Sequence, residues 1–186
     1  MKNSEPNPSR PAAVRYVNEK PLVFISYDGE ELALADYVKS AFEKCAQDRI
    51  ETFVARRDIR SGDNPLKTMM DEKLKKADAI IPICSLKSKN SAWVWWESGS
   101  VWGRGKRVFP LFTNLSPNDF GTPMTLVSQG KFFFDENEFQ ETTHAVCRYF
   151  GIEPKDSQFP SADHAKLREE YSKPETSHSR SHLPRS

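Results

Sequence analysis

The stretch LVFISYDGEE (22–31) joins a short apolar run to a polar turn. Four apolar residues in a row, closed by Ser26, are typical of a strand that is buried on both faces of a sheet. The residues that follow, 30–45, carry apolar side chains at helical spacing with charged residues on the opposite side. These apolar positions are Leu34, Val38, Ala41 and Cys45. The stretch therefore predicts a buried strand followed directly by an amphipathic helix.

The alternation of strand and helix continues outward from this unit. Four more strands are predicted, at ETFVA (51–55), AIIPIC (79–84), VFPLF (108–112) and KFFFD (131–135). Three more helices are predicted, at 64–77, 91–102 and 137–150. Strands that alternate with helices indicate an α/β fold with a mostly parallel sheet and helices on both faces. Two of the strands contain a proline, Pro82 or Pro110, which cannot donate a ladder hydrogen bond.

Four motifs, in this order along the chain, resemble those of the Toll/interleukin-receptor (TIR) domain family. VFISYDGEE (23–31) is similar to the first box of the family. RRDIRSGDN (56–64) is similar to the second box, with Ser61 at a position where proline is usual. CSLKSKNSAWVWWE (84–97) resembles the exit of strand three and the following helix of enzymatic members. RVFPLF (107–112) resembles the fourth strand of bacterial and plant members.

The resemblance implies a TIR domain over residues 20–152, of the bacterial stand-alone type that cleaves NAD+. The family fold is a flavodoxin-like three-layer sandwich whose five parallel strands lie in the order 2-1-3-4-5. In such a sheet, ligands bind beyond the carboxyl ends of the strands where the chain order reverses, here between strands one and three. The polar segments 26–29 and 85–88 leave those two strands. Trp93 and Glu97 are spaced i,i+4 on the next helix, so we expect them to converge on the same cleft.

Enzymatic TIR domains cleave the nicotinamide–ribose bond of NAD+ with one glutamate on this helix, which implies a catalytic role for Glu97. Glycosidases usually need a second carboxyl group to protonate the leaving group. Nicotinamide is already cationic in NAD+ and leaves as a neutral molecule, so one carboxylate that stabilises the positive ribose is sufficient. The resemblance also implies NAD+ contacts at Tyr27, Asp28 and Arg60. Trp93 is placed to stack on a base.

Four of these residues also have a purely structural interpretation. Glu97 can be an ordinary surface charge on an amphipathic helix. Asp28 can cap the helix that follows it. Trp93 can belong to the packed core instead of a stacking surface. Arg60 can be a loop charge or a subunit contact. The sequence leaves these alternatives open.

Three functional hypotheses follow from the motifs. The first is an NAD+ nucleosidase that gives ADP-ribose, or a cyclic or conjugated ADP-ribose signal read by a downstream effector, in bacterial antiphage defence. NAD+ is then the substrate, no cofactor is expected, and the family implies self-association through TIR contacts. The second is a non-catalytic module that signals through TIR–TIR contacts. The third is a nucleoside deoxyribosyltransferase-like enzyme, against which the loop RDIRSGD (57–63) argues.

The composition excludes several other classes of protein. The 27 Lys and Arg residues nearly balance the 26 Asp and Glu residues, whereas a basic excess is typical of proteins that bind nucleic acid. No apolar run approaches the roughly 20 residues of a membrane span, and the N-terminus lacks a secretory signal. The three cysteines lie among apolar residues, which predicts buried, reduced thiols in a cytoplasmic protein. Only His144 of the four histidines falls in the predicted domain, which argues against a metal site.

The two ends of the chain are polar. Residues 1–19 are rich in Pro, Asn and Ser, and residues 153–186 contain few apolar side chains. Segments of this composition bury too little apolar surface to offset the entropy lost on ordering. We therefore expect a disordered N-terminal segment and a disordered polar tail.

Overall fold

In the computed structural model, which describes residues 19–54, 71–121, 130–156 and 159–171, the strands form a parallel sheet. The strands are β1 (Leu22–Ser26), β2 (Glu51–Val54), β3 (Ala79–Cys84), β4 (Arg107–Val108), β5 (Leu111–Phe112) and β6 (Lys131–Phe132). They lie in the order β2-β1-β3-β5-β6, and β4 also pairs with β3. The described pairings are parallel, as predicted.

The predicted fourth strand, 108–112, is divided into β4 and β5. β4 pairs with the first two residues of β3, and β5 pairs with its last two. Phe109 and Pro110 lie between them, and the ladder is interrupted because proline has no N–H to donate. When β4 and β5 are counted as one strand, the order is 2-1-3-4-5, so the flavodoxin-like prediction is confirmed. Pro82, by contrast, lies within the continuous strand β3.

Helices cover both faces of this sheet. They are α1 (Leu32–Cys45), α2 (71–76), α3 (Leu86–Lys89), α4 (Ala92–Trp102), α5 (Pro117–Phe120), α6 (Glu136–Tyr149) and α7 (Ser161–Tyr171). Successive side chains of a strand point to opposite faces. Accordingly, Val23 and Ile25 of β1 pack in one core cluster with Val38 of α1. Phe24 packs in a second cluster with Val101 of α4. The three-layer arrangement is therefore confirmed.

Buried positions agree with the sequence pattern of the first unit. Leu34, Val38 and Ala41 of α1 are all in the core. Cys45, Cys84 and Cys147 are buried and form no disulfide, as predicted. Burial raises the pKa of the Cys45 and Cys147 thiols to about 11. Both thiols are therefore protonated and inert at neutral pH.

The predicted disordered tail contains a helix. Residues 161–171 form α7, and its His164 is only 2% exposed. The His164 Nε2 lies 2.6 Å from the carbonyl oxygen of Phe133. The imidazole packs among four aromatic rings, those of Tyr37, Phe133, Phe139 and Phe159. A few aromatic contacts thus anchor a helix whose overall composition is polar, and composition alone does not reveal them.

Two other predicted elements differ in extent from the described ones. The predicted strand 131–135 is limited to β6, because Asp135 already serves as the N-cap of α6. The predicted helix 64–77 is observed as α2, and its first residues lie outside the described part of the chain. Also outside are residues 1–18, which were predicted to be disordered, and the loop that contains Arg60. None of the described helices is long and apolar enough to cross a bilayer.

Candidate active site

The predicted ligand-binding edge lies where β1 and β3 end side by side. Ser26, the last residue of β1, is the Cα partner of Pro82 in β3. β1 pairs with β2 on its other side, so the chain order reverses between β1 and β3. The segments that leave the two strands carry Ser26 and Ser85, both buried hydroxyls. The fold therefore brings the two strand-end serines to one edge of the sheet.

Glu97 is buried at this edge. Its side chain lies on the inner face of α4, with Val94, Ser98 and Val101, and is only 1% exposed. The Ser26 hydroxyl donates a hydrogen bond of 2.5 Å to Glu97 Oε2. A carboxylate is costly to remove from water unless hydrogen bonds compensate for the lost solvation. The interpretation of Glu97 as an ordinary surface charge therefore does not hold.

The register of α4 is fixed by the segment before it. Ser85 begins α3 with a reciprocal capping box, in which its hydroxyl accepts from the Ser88 backbone N–H and the Ser88 hydroxyl accepts from the Ser85 N–H. The Trp95 indole N–H then donates to the Lys89 carbonyl at 2.8 Å. The Trp95 ring also packs on Phe120. These contacts determine the rotation of α4 and hence direct Glu97 toward β1.

Trp93 lies one turn before Glu97 but has a different environment. Its side chain is 51% exposed and packs edge-to-face on Trp96, with ring centroids 5.8 Å apart. The buried face of α4 is centred on Val94 and Glu97, so Trp93 lies at its border. The core interpretation of Trp93 is therefore wrong. Its indole is accessible to solvent beside the site, and no described contact joins it to Glu97.

The two residues directly after β1 differ in burial. Tyr27 is almost fully buried and belongs to the core that supports the edge. Asp28 is half-buried and occupies the N-cap position of a 3₁₀ turn, Gly29–Glu31, but its side chain makes no cap hydrogen bond. The turn is closed by the backbone instead, since Glu31 N–H donates to the Asp28 carbonyl at 2.8 Å. The carboxylate of Asp28 is therefore not used as a helix cap.

Glu31 is a second buried carboxyl group at this edge, and no sequence motif marked it as a site residue. It is 4% exposed, and its Oε2 has no hydrogen-bond partner among the described residues. Burial raises the pKa of Glu31, and the Ser85 hydroxyl and the Asp28 backbone N–H act in the opposite direction. A glutamate three residues after an N-cap is a capping-box signal. That signal identifies the position, but it does not reveal the burial.

Glu97 and Glu31, the two buried carboxyl groups, each contact a serine at the end of the other strand. Ser26 ends β1 and donates a hydrogen bond to Glu97, which lies on a helix after β3. Ser85 follows β3 and lies beside Glu31 in the turn after β1. On the surface, Lys87 Nζ contacts Glu30 Oε2 at 2.5 Å, which lowers the pKa of Glu30. Three polar contacts therefore link the segments that leave β1 and β3.

Other chemistry has little support at this edge. Burial raises the pKa of the Cys84 thiol well above its ordinary value, with Glu31 adding to the effect. A thiol of this kind is a poor nucleophile at neutral pH. In the described part of the chain no group of His, Cys, Asp or Glu side chains has the arrangement of a metal site. The chemistry available here is that of carboxylates and hydroxyls.

Comparison with known proteins gives a family match over most of the chain. Residues 23–146 match the family described as TIR domain. No curated protein sequence matches the chain. Among solved structures, the TIR domain of the Toll-related receptor TRR-2 from Hydra magnipapillata is 17% identical, with a TM-score of 0.49; the match covers 69% of this chain and 96% of that one.

Two other solved structures are similar at comparable levels. A prokaryotic SEFIR domain is 16% identical, with a TM-score of 0.47, over 73% of this chain and 95% of that one. A 2-desoxiribosyltransferase from Leishmania mexicana is 19% identical, with a TM-score of 0.42, over 52% of this chain and 67% of that one.

Proposed function

The chain belongs to the TIR domain family, and on that premise we propose that it is an NAD+ nucleosidase with Glu97 as its catalytic carboxylate. Members of this family act in signalling or cleave NAD+. The observation that carries the enzymatic proposal is the environment of Glu97. A nearly inaccessible carboxylate, held by the Ser26 hydroxyl at 2.5 Å, lies where the order of the strands reverses. Ligands of open α/β sheets bind at such an edge.

The reaction breaks the bond between C1′ of the ribose and the pyridinium nitrogen of nicotinamide. The bonding electrons leave with nicotinamide, which becomes neutral, and positive charge develops on the ribose. Water then adds to C1′ and loses a proton, which gives ADP-ribose. Glu97 acts by electrostatic attraction to the developing cation. The departure of nicotinamide needs no general acid because the leaving group carries its positive charge from the start.

A buried carboxylate is well suited to this task. Charges interact more strongly in a medium of low dielectric constant than in water. The Ser26 hydrogen bond fixes the orientation of one carboxylate oxygen, so little reorganisation is needed as positive charge develops. The folding free energy of the domain offsets the cost of keeping the Glu97 carboxylate buried in this orientation. The local geometry therefore supports Glu97 in the role that the family resemblance implies.

The other residues of the proposed site have supporting roles. The exposed indole of Trp93 supplies a stacking surface for a base, and the half-exposed Asp28 is available to ribose hydroxyl groups. Arg60 is assigned to the pyrophosphate, which a guanidinium group binds well. Tyr27 contributes through its position after β1, since its ring is buried. We further propose self-association, with ADP-ribose or a cyclic or conjugated form of it as the signal in antiphage defence.

A non-catalytic interaction module is the second candidate function. The observation that favours it is the exposure of three tryptophans, Trp93, Trp96 and Trp102, on α4. Large exposed apolar side chains that lie close together are typical of interaction sites, and aromatic residues are enriched at interfaces. In this alternative Glu97 has only a structural role and NAD+ is not consumed.

Mass spectrometry of NAD+ incubated with the purified protein distinguishes these functions. We expect release of nicotinamide by the wild-type protein and a loss on the order of 10²–10³ in Glu97→Gln. Glu72→Gln, an exposed position on α2, serves as the matched control and should keep the wild-type rate. A wild-type protein that releases no nicotinamide under any condition supports the interaction module. Near-normal turnover by a folded Glu97→Gln protein would show that Glu97 is not catalytic.

A further inference from the structure

A cavity of about 620 Å³ lies beside β4, between the segment 107–110 and α6. Residues of α6 between 141 and 148 line it on the helix side, and Lys131, at the start of β6, also lines it. Pockets for small molecules have volumes of about 300–1,000 Å³. β4 pairs with the first residues of β3, whereas the Glu97 site lies at the end of β1. The cavity therefore has the size of a ligand site and is separate from the proposed active site.

The charges around this cavity are unbalanced. Lys131 Nζ lies 2.8 Å from Glu141 Oε2, so these two charges compensate each other. Arg107 and Arg148 also line the cavity, and neither forms an ion pair with any described residue. Two guanidinium groups thus remain without a described counter-charge. Their combined field favours an anionic occupant.

The other surfaces of the cavity limit the kind of anion. Phe109 and Pro110 are buried and contribute an apolar part of the cavity lining. The Arg107 guanidinium lies over the Phe109 ring, 5.8 Å from its centroid, and this contact keeps the charge beside the apolar part of the lining. An occupant that fits both features has an anionic group beside a flat, weakly polar ring.

The number of guanidinium groups favours phosphate over carboxylate. A carboxylate has two oxygens and one negative charge, and a single arginine matches it in a bidentate pair. A terminal phosphate has three acceptor oxygens and a charge near −2, so it can accept from two arginines at once. We propose that this cavity binds a phosphate-bearing small molecule of nucleotide size, with Arg107 and Arg148 on the phosphate. This site is independent of the function proposed for Glu97.

Calorimetric titration of the full chain with AMP tests the proposal, with adenosine and inorganic phosphate in separate titrations. AMP should bind, adenosine should not, and inorganic phosphate should bind more weakly because it lacks the ring. The double variant R107Q/R148Q should weaken AMP binding by at least about tenfold, the effect of losing one charge-assisted contact. The control K75Q/K76Q removes two exposed charges from α2 and should bind AMP like the wild type. Glu97→Gln should also leave the affinity unchanged.

Three results would overturn this assignment. The first is that the wild-type protein does not bind AMP at millimolar concentration. The second is that R107Q/R148Q binds AMP with the same affinity as the wild type. The third is that Glu97→Gln, and not R107Q/R148Q, loses AMP binding. Both arginines are exposed, so the double variant should fold normally. An independent measurement uses the wild-type protein alone. The backbone amide resonance of Ala145, in the cavity wall, should shift on AMP addition, whereas that of Ala92 on α4 should not.

Discussion

The Ser26 hydroxyl and the Glu97 carboxylate are 71 residues apart in sequence and are joined by a buried hydrogen bond of 2.5 Å. This bond connects the end of the central strand β1 to a helix that follows β3. It satisfies one carboxylate oxygen in a place that water does not reach. The same contact thus contributes to folding and, under the proposed function, orients the group that acts on NAD+.

Replacement of Ser26 by alanine should lower both the stability of the fold and the rate of NAD+ cleavage. A hydrogen bond to a charged group contributes about 1.5–3 kcal/mol, and Ser26→Ala leaves the Glu97 oxygen without this donor. We expect a loss of stability of this size and at least about a tenfold lower rate of nicotinamide release. Ser40→Ala on α1 is the control. In a Glu97→Gln background the loss of stability on Ser26→Ala should be smaller, and additive losses in this double-mutant cycle would contradict the coupling.

Glu31 predicts a pH dependence of stability. Burial raises its pKa in the folded protein above the ordinary value of 4.5. At a pH between these two pKa values, the folded state therefore keeps a proton that the unfolded state has lost. The associated stability is fully present below pH 4.5 and declines as the pH rises through the folded pKa. Glu31→Gln cannot ionise and should escape this decline. Its melting temperature should therefore exceed that of the wild type by an amount that grows as the pH rises above 4.5. A constant difference would show that Glu31 does not titrate differently in the folded state.

The contacts of His164 predict that α7 is part of the folded domain. His164→Ala removes an imidazole that packs among four rings, and large-to-alanine changes in a core cost about 2–5 kcal/mol. Lys166→Ala changes an exposed residue of the same helix and should stay within about 0.5 kcal/mol of the wild type. Chemical denaturation of the two variants provides the comparison. Equal stability of His164→Ala and Lys166→Ala would mean that α7 does not pack on the domain in solution.

Much of the fold was predictable because it depends on local patterns. The apolar run 22–25, closed by Ser26, and the helical spacing after it predict β1 and α1, and the alternation of elements predicts the parallel sheet. The division of β4 from β5 follows from Pro110. The sequence predicted that this proline cannot donate a ladder hydrogen bond, but it did not predict that the strand would be divided in two. The helix α7 was missed for a different reason. Its stability comes from contacts of His164 with rings far away in the sequence, which no local window contains.

The site was predictable only in part, for a related reason. The position of Glu97 follows from the motif and the strand order, but its burial depends on the rotation of α4, which Trp95 fixes. Glu31 has a local explanation as a capping residue, so nothing in the sequence set it apart. The i,i+4 spacing places Trp93 on the same side of α4 as Glu97. The buried face of α4 is centred on Val94 and Glu97, however, so Trp93 lies at its border and its indole is exposed. Burial is a tertiary property in all three cases.

The exposure of Trp93 predicts that its removal affects substrate use more than folding. A fully buried tryptophan replaced by alanine costs about 3–5 kcal/mol, and Trp93→Ala should cost much less because half of its surface is already in water. Under the proposed function, the KM for NAD+ should rise because a stacking surface is lost. Trp95→Ala is the matched control, since Trp95 packs on Phe120 and should lower the melting temperature. A large loss of stability in Trp93→Ala with normal kinetics would make Trp93 a structural residue only.

Self-association is the last testable feature, and it concerns the surface beside the site. Trp93 and Trp96 form an exposed aromatic pair on α4, the same helix that carries Glu97. The loop 56–63, which leaves neighbouring strand β2, contains Arg56, Arg57 and Arg60. Tryptophan and arginine are the residues most enriched at interface hot spots. We therefore expect neighbouring molecules to associate through this loop and to complete the NAD+ site together.

If the site is shared between molecules, activity must depend on concentration. Specific activity should fall disproportionately over about a hundredfold dilution, because dissociation separates the contributing chains. Arg57→Glu should lower activity and the mass measured by light scattering together, and Lys44→Glu, at an exposed position at the end of α1, should change neither. The competing arrangement is a monomer whose own loop closes over the substrate. A monomeric mass in the presence of NAD+, together with a specific activity that is independent of dilution, would establish that arrangement and exclude the shared site.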